Sequence, residues 1–265
     1  MQIYIPSCGR YNSLSTLHHL PRSLLARTTL VVQHKEYSAY IAAVATEKFE
    51  EVKVLKLPPQ IKTIAPTRSH ILEIARLNGQ DKIVMLDDDL RFDWRRKDDN
   101  GKFLVATRQQ IEQLFNTIED KLGEFAHVGV LAREGGNRVL KFPAVYNSRM
   151  MRVLAYRTDI LWRENIKLNR IPLMEDFDVC LQLLRKGFAN CVLTGWVQGQ
   201  GTSGAAGGCS HFRTTELHNL CANKLAKLHP EFVKVVTKHT KGAWNGEARQ
   251  DVVVAWKKAF ESSQS

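Results

Sequence analysis

The sequence predicts an α/β layer fold built on a mainly parallel central sheet, and two observations carry that prediction. The first is Ile83-Val84-Met85-Leu86, an apolar run that passes straight into Asp87-Asp88-Asp89. A short continuous apolar stretch suits a strand buried on both faces, and such strands deliver ligand-binding groups at their carboxyl ends. The second is rhythm: strand-like and helix-like stretches alternate from the first residues onward, as in successive βαβ units.

Taken in order, Gln2 to Pro6 reads as a strand, and Ser7-Cys8-Gly9-Arg10 as the turn that follows it. Leu14 to Leu25 has scattered helical spacing, Thr28 to Gln33 is a second strand, Tyr37 to Phe49 a helix and Val52 to Leu57 a third strand. Ser69 to Asn78 is a helix with Ile71, Leu72, Ala75 and Leu77 on its apolar face and Gly79 as its stop. After the acids, the highly charged stretch from Phe92 to Asn100 predicts a mobile loop over the site. Thr107-Arg108-Gln109-Gln110 has the pattern of a capping box opening a helix over Ile111, Leu114, Phe115 and Ile118. His127 to Ala132 and Met150 to Tyr156 are strands, Ile160 to Glu164 a short helix, and Glu175-Asp176 opens a helix that Gly187 ends. Asn190 to Thr194 is a strand, the glycine-rich Gly195 to Gly208 a loop, and Thr215 to Leu228 a helix stopped by Pro230. The organisation expected is one domain over 1-230 with a basic C-terminal extension, 231-265, packed on it.

Composition bounds the function. At 265 residues, 44% hydrophobic and 25% charged, the chain is long enough for a sizeable core. No long apolar stretch and no secretory signal are present, so a soluble, cytoplasmic protein without a membrane partner is expected. Five cysteines form no Cys-x-x-Cys pair, which predicts free thiols. A net charge of +11 favours an acidic partner, nucleic acid first, although basic charge also serves solubility.

Three adjacent carboxylates repel one another and need positive charge nearby. A hard divalent cation shared with a substrate phosphate meets that need; a solvated acidic turn is the alternative. On an extended backbone Asp87 and Asp89 point to one side, able to converge on one metal, and Asp88 points to the other. Arg10, just past the first strand, suits a nucleotide base or phosphate. Arg68 is expected in the first turn of its helix, where a cation opposes the helix dipole, so a ligand contact would explain it. Glycines of the late loop, Gly207 and Gly208 among them, let backbone amides approach phosphate or sugar. His211 after that loop is a possible further metal ligand that would favour manganese. Glu175 and Asp176 are open to two readings: a helix N-cap, or a general base near a cleft. Arg133, Asn137 and Arg138, in a polar loop at a strand end, are candidates for polynucleotide phosphates, as are Lys234 and Lys238 among the basic and aromatic residues of the tail.

The ordered set of Ile5-Pro6-Ser7-Cys8-Gly9-Arg10, Arg68 before a helix, the strand ending in Asp87-Asp88-Asp89, Glu175-Asp176 at a helix start and a late histidine after a glycine loop resembles GT-A glycosyltransferases, whose fold is Rossmann-like. More narrowly, it looks like the phage-type branch associated with TET/JBP oxygenases. The resemblance implies transfer of glucose or arabinose from a nucleoside-diphosphate sugar, a UDP-sugar, to the hydroxyl of 5-hydroxymethylcytosine or hydroxymethyluracil in double-stranded DNA, within an infected host cell. It implies that Asp87 and Asp89, completed by His211, hold Mn2+ or Mg2+ on the donor diphosphate, with Asp87 also near the ribose. Arg10 and Arg68 would contact the nucleotide, and Asp176 would deprotonate the acceptor; a base aimed at the anomeric face opposite the leaving group inverts configuration in one displacement, whereas retention needs another arrangement. Competing readings are nucleotidyl transfer, transfer to a carbohydrate or small molecule, and a non-catalytic DNA-binding protein that keeps the fold.

Overall fold

A computed structural model of the chain describes residues 1–96, 102–134, 143–200, 213–239 and 248–264. The elements run β1 (Gln2–Ser7), α1 (Ser15–His19), α2 (Arg22–Leu25), β2 (Thr28–Val32), α3 (Tyr37–Thr46), β3 (Lys53–Lys56), α4 (Ile64–Leu77), β4 (Lys82–Leu86), β5 (Leu90–Arg95) and β6 (Phe103–Val105). They continue with α5 (Arg108–Lys121), β7 (His127–Ala132), β8 (Ala144–Tyr146), β9 (Val153–Arg157), α6 (Thr158–Arg163), α7 (Glu175–Arg185), β10 (Asn190–Gln200), α8 (Thr215–Leu228), β11 (Val233–His239), β12 (Ala248–Val254) and α9 (Trp256–Glu261). No helix of the described residues is long and apolar enough to cross a membrane.

The large sheet has the order β3-β2-β1-β4-β9-β7-β10-β5-β6, with β8 also paired to β10. Strands β3, β2, β1 and β4 form a parallel block. Because β9 runs against both β4 and β7, those two share a direction, and β10 follows β7. Seven of these ten described strands therefore point the same way, with β5, β8 and β9 opposed. The fold is the expected mixed α/β architecture with a mainly parallel central sheet.

Alternation along the central strands explains why they need to be apolar at every position. Ile3 and Ile5 of β1, with Val84 and Leu86 of β4, join the core that contains Tyr40 of α3 and Phe115 of α5. Tyr4 of β1, with Ile83 and Met85 of β4, joins the opposite core beside Ile71 of α4 and Leu183 of α7. Burying both faces leaves no solvent side on which a polar residue is tolerated cheaply. Thr107 and Gln110 form the expected reciprocal capping box at the start of α5. Gly79 (φ 61°) and Gly187 (φ 84°) end α4 and α7 in the left-handed region where a Cβ is strained.

Four sequence expectations are corrected. The stretch from Phe92 onward is the paired strand β5 as far as Arg95, because Leu90 and Phe92 are fully buried while the charged Arg91, Asp93 and Arg95 around them obscure the two-residue period; residues 97–101 lie outside the described part. Helix α4 begins five residues early, at Ile64, since Pro66 falls within the first turn where its missing N–H costs nothing. Arg68 is consequently the fifth helical residue, and the dipole argument does not apply to it. Leu14 to Leu25 divides into α1 and α2 at Pro21. Strand β10 runs on to Gln200 through a register shift between Leu193 and Val197, so the first glycines of the late loop belong to the sheet.

The tail is structured. Strands β11 and β12 form a separate antiparallel hairpin, and Phe232, Val233, Val252 and Ala259 share a third core with Phe177, Leu181 and Leu184 of α7 and Leu225 of α8. This unit packs on α7, the helix that carries the second candidate acid pair.

Candidate active site

The acid turn sits at the carboxyl end of β4. There the chain bends at Asp88-Asp89 before starting β5, so the extended-strand alternation holds only as far as Asp87. Asp87 keeps the direction of Met85 and accepts a hydrogen bond from Arg68 Nη2 at 2.8 Å. Asp88 turns to the other face and accepts from the Ser7 hydroxyl at 2.5 Å and from Arg10 Nη1 at 2.7 Å. Asp89 is 2.6 Å from the same Arg10 nitrogen, and its other oxygen accepts from Gln200 Nε2 at 3.0 Å. Asp88 and Asp89 thus share Arg10 and Asp87 has Arg68, while Asp87 and Asp89 stay near enough for their charges to repel.

A neighbouring hydroxyl fixes the backbone of this turn. Thr16, at the start of α1, donates its hydroxyl to the Asp87 carbonyl at 2.8 Å and accepts from the Leu90 amide at 2.8 Å, while its own amide donates to the Asp88 carbonyl at 3.2 Å. On the β1 side, Tyr40 Oη lies 2.6 Å from Ser7 Oγ and accepts from the Arg10 amide at 3.1 Å. Ser7 stands in the turn motif before Arg10 but was given no role from the sequence, and no motif marks Thr16 or Tyr40.

Arg68 joins the two acid groups. It is 5% exposed, and its Nη1 donates to Glu175 at 2.6 Å while Nη2 holds Asp87. Burial works against its charge, but Glu175 and Asp87 outweigh burial and push the guanidinium above its ordinary pKa. Glu175, itself 7% exposed, is pushed up by burial despite Arg68. Burial likewise raises Asp87, and it raises Asp88 to about 6 against the pull of Arg10 and Ser7. Asp87 and Asp89 repel each other and remain partly open, their side chains 27% and 22% exposed.

The helix α7 starts at Glu175 after Met174, which takes a left-handed conformation (φ 63°) and makes no side-chain cap bond. That sharp entry sends Glu175 inward to Arg68 and leaves Asp176 half-buried, its Oδ1 accepting from the Phe177 amide at 3.0 Å. Asp176 opens into a cleft of about 640 Å³ whose far wall is the β11–β12 hairpin. Lys238 lines this cleft, whereas Lys234, on the same strand, is exposed beyond it. Arg133 pairs with Asp93 at 3.2 Å and lies over the Phe103 ring, at the β5–β6 side of the sheet. Gly207, Gly208, His211, Asn137 and Arg138 lie outside the described residues. Among the described residues no group of three or more His, Cys, Asp or Glu side chains is arranged to hold a metal ion.

The geometry therefore sets a cation-neutralised acid turn and a cleft-facing carboxylate at one end of the sheet, bridged by one buried arginine. A model of the TET-Associated Glycosyltransferase family matches residues 1–208. The chain belongs to that family. It is 26% identical over 242 residues to the Beta-glucosyl-HMC-alpha-glucosyl-transferase of Enterobacteria phage T2, a match spanning 87% of this chain and 82% of that one, and equally to the enzyme of the same name from phage T6. The crystal structure of S. aureus TarS 1-349 in complex with UDP-GlcNAc superposes with a TM-score of 0.52 at 13% identity, covering 85% of this chain and 67% of that chain. That likeness is one of fold. The chain is a nucleotide-sugar-dependent glycosyltransferase with a GT-A-like fold.

Proposed function

We propose that this glycosyltransferase moves a sugar, glucose or arabinose, from a UDP-sugar to a hydroxyl on a hydroxymethylated pyrimidine of double-stranded DNA. The observation that carries the reading is the Arg68 bridge, which ties the acid turn to the helix presenting Asp176. A transferase needs this juxtaposition, with a leaving diphosphate on one side of the anomeric carbon and an acceptor hydroxyl with its base on the other.

In this reading Arg10, Arg68, Asp87 and Asp88 hold the nucleotide end of the donor, with Gly207 and Gly208 beside the sugar or phosphate. Asp87 and Asp89 offer only carboxylate oxygens, are partly open and repel one another, which is the donor chemistry a hard divalent cation takes up, with His211 completing the set. Mn2+ or Mg2+ there would neutralise charge on the departing diphosphate. Asp176 receives the proton of the acceptor hydroxyl as its oxygen bonds to the anomeric carbon and the carbon–oxygen bond to the diphosphate breaks. Glu175, buried against Arg68, sets the direction of its neighbour and does not act as the base. Arg133, Asn137, Arg138, Lys234 and Lys238 are the DNA candidates.

A second reading of the acceptor is favoured by the names of the T2 and T6 relatives, in which the acceptor is a glucosylated HMC. Here the hydroxyl attacked belongs to a sugar already on the base. One experiment separates the two: intact-mass analysis of duplexes carrying either 5-hydroxymethylcytosine or its β-glucosyl derivative, incubated with protein, Mn2+ and a panel of UDP-sugars. Mass gain on the first duplex supports the direct reading, and gain only on the second supports further glycosylation. Donor hydrolysis with no gain on either refutes DNA as the acceptor. Omitting Mn2+ in the presence of EDTA, with Asp89→Ala in parallel, tests the metal: turnover unaffected by both removes it.

A further inference from the structure

The acid turn accounts for the donor, but not for the second concentration of positive charge on the far side of Asp176. Four cationic side chains, Arg149, Arg213, Lys238 and Arg249, line the cleft there, against two carboxylates, Asp176 and Asp251. Asp251 is 3.0 Å from Lys238 Nζ and 3.5 Å from Arg249 Nη2, so it holds these two heads side by side while the four charges keep an excess over the two acids. Arg149 lies 4.3 Å from the centroid of the Phe177 ring, and Phe177 meets Trp256 edge-on at 5.4 Å. Trp256, at the start of α9, is half-buried and lines the same cleft.

We propose that this cleft is the track for the sugar-phosphate backbone of the DNA strand that carries the acceptor, with Arg213, Lys238 and Arg249 on its phosphates. The inference rests on the DNA reading of the site given above. The nucleotide-sugar diphosphate has its own guanidiniums at the acid turn, so a second anion-binding region on the opposite side of Asp176 belongs to the acceptor. The cations come from four separate chain segments, the loop before β9, the approach to α8, and the two strands of the hairpin. An extended polyanion can engage such a row, whereas a single phosphate fits a compact nest. Trp256, half-buried in the same cleft and braced edge-on by the buried Phe177, offers a stacking surface of the kind an unpaired base next to a reacting hydroxyl uses.

The test is DNA binding as a function of salt, on the full chain and a modified duplex. Arg213 and Lys238 are exposed, and their replacement leaves the core intact. Arg213→Gln and Lys238→Gln are each expected to weaken binding several-fold at low salt and to reduce the slope of log K against log salt by about 1. Lys238→Arg restores the slope, and Lys53→Gln, on edge strand β3 at the far end of the sheet, leaves it unchanged. Wild-type affinity and slope in both glutamine variants would overturn the proposal while leaving the transferase reading standing. Failure of the unmodified protein to bind any duplex would instead remove the DNA reading on which it rests.

Discussion

Replacing Arg68 by methionine keeps most of the side-chain volume and removes the charge that two acids share. Arg68 and Glu175 are 5% and 7% exposed, so the variant leaves Glu175 with no counter-ion in a nearly dry environment, and it frees Asp87 on the other side. Removing one partner of a buried pair costs about 3–5 kcal/mol, because the remaining charge loses its compensation and does not regain water. The cost should depend on pH. Burial already raises the Glu175 carboxyl, and loss of Arg68 raises it further. At a pH below the ordinary glutamate range both folded and unfolded chains hold the proton, and Glu175 contributes little to the loss. As pH rises through the unfolded glutamate range both proteins lose stability alike, because burial raises Glu175 in each; above about 7, where the wild-type carboxyl has ionised, the variant goes on losing about 1.4 kcal/mol per pH unit relative to wild type until its own folded carboxyl ionises. Urea unfolding of Arg68→Met, Glu175→Gln and the double variant, with the slope of each transition checked for constancy, measures the effect. The double variant should recover about 2 kcal/mol relative to the sum of the singles. Additive losses, or a cost for Arg68→Met below about 1 kcal/mol at neutral pH, would show that the bridge does not carry the stability assigned to it.

Asp176→Asn keeps the size and polarity of the side chain, and since Asp176 makes no ion pair among the described residues the melting temperature should stay close to wild type. Transfer should fall at least a hundredfold, as expected on losing a general base, while UDP binding measured by calorimetry is retained; unfolding of the variant would return Asp176 to a capping role. Asp88 has a folded pKa of about 6, above its ordinary value, so the folded state binds the extra proton. Stability should therefore decline as pH rises from about 4 to about 6, by about 3 kcal/mol in all. Asp88→Asn should flatten that segment of the pH profile in urea titrations, and an unaltered profile would assign the titration to another group.

How much of this was legible follows from which forces act locally. The β1 and β4 strands, the α5 capping box and the helix stops at Gly79 and Gly187 are written in near neighbours, by apolar runs, a four-residue hydrogen-bond pattern and left-handed glycines. Strand β5 was not, because its inward residues Leu90 and Phe92 stand among the charged Arg91, Asp93 and Arg95, and only the pairing with β10 reveals which side is buried. Asp87, Arg68 and Glu175 could each be named from the sequence. Their bridge could not, because it joins residues 107 positions apart in the chain through packing of α4 against the start of α7. The sharing of Arg10 by Asp88 and Asp89 was hidden for a related reason: the bend there is held by Thr16, a remote threonine with no local mark.

The stretch matched by the family model ends at residue 208, yet three of the four cleft cations, Arg213, Lys238 and Arg249, come after it. Most of the positive charge proposed for the acceptor is thus encoded after the residues proposed for the donor, while Asp176 and Arg149 lie within the matched stretch. If the cleft is the acceptor track proposed above, substitutions in the later part would redraw its cationic wall without touching Asp87, Arg68 or Glu175, and acceptor choice would change with donor handling kept. A chimera carrying the hairpin and last helix of a relative would be the natural means of moving acceptor choice between the two enzymes.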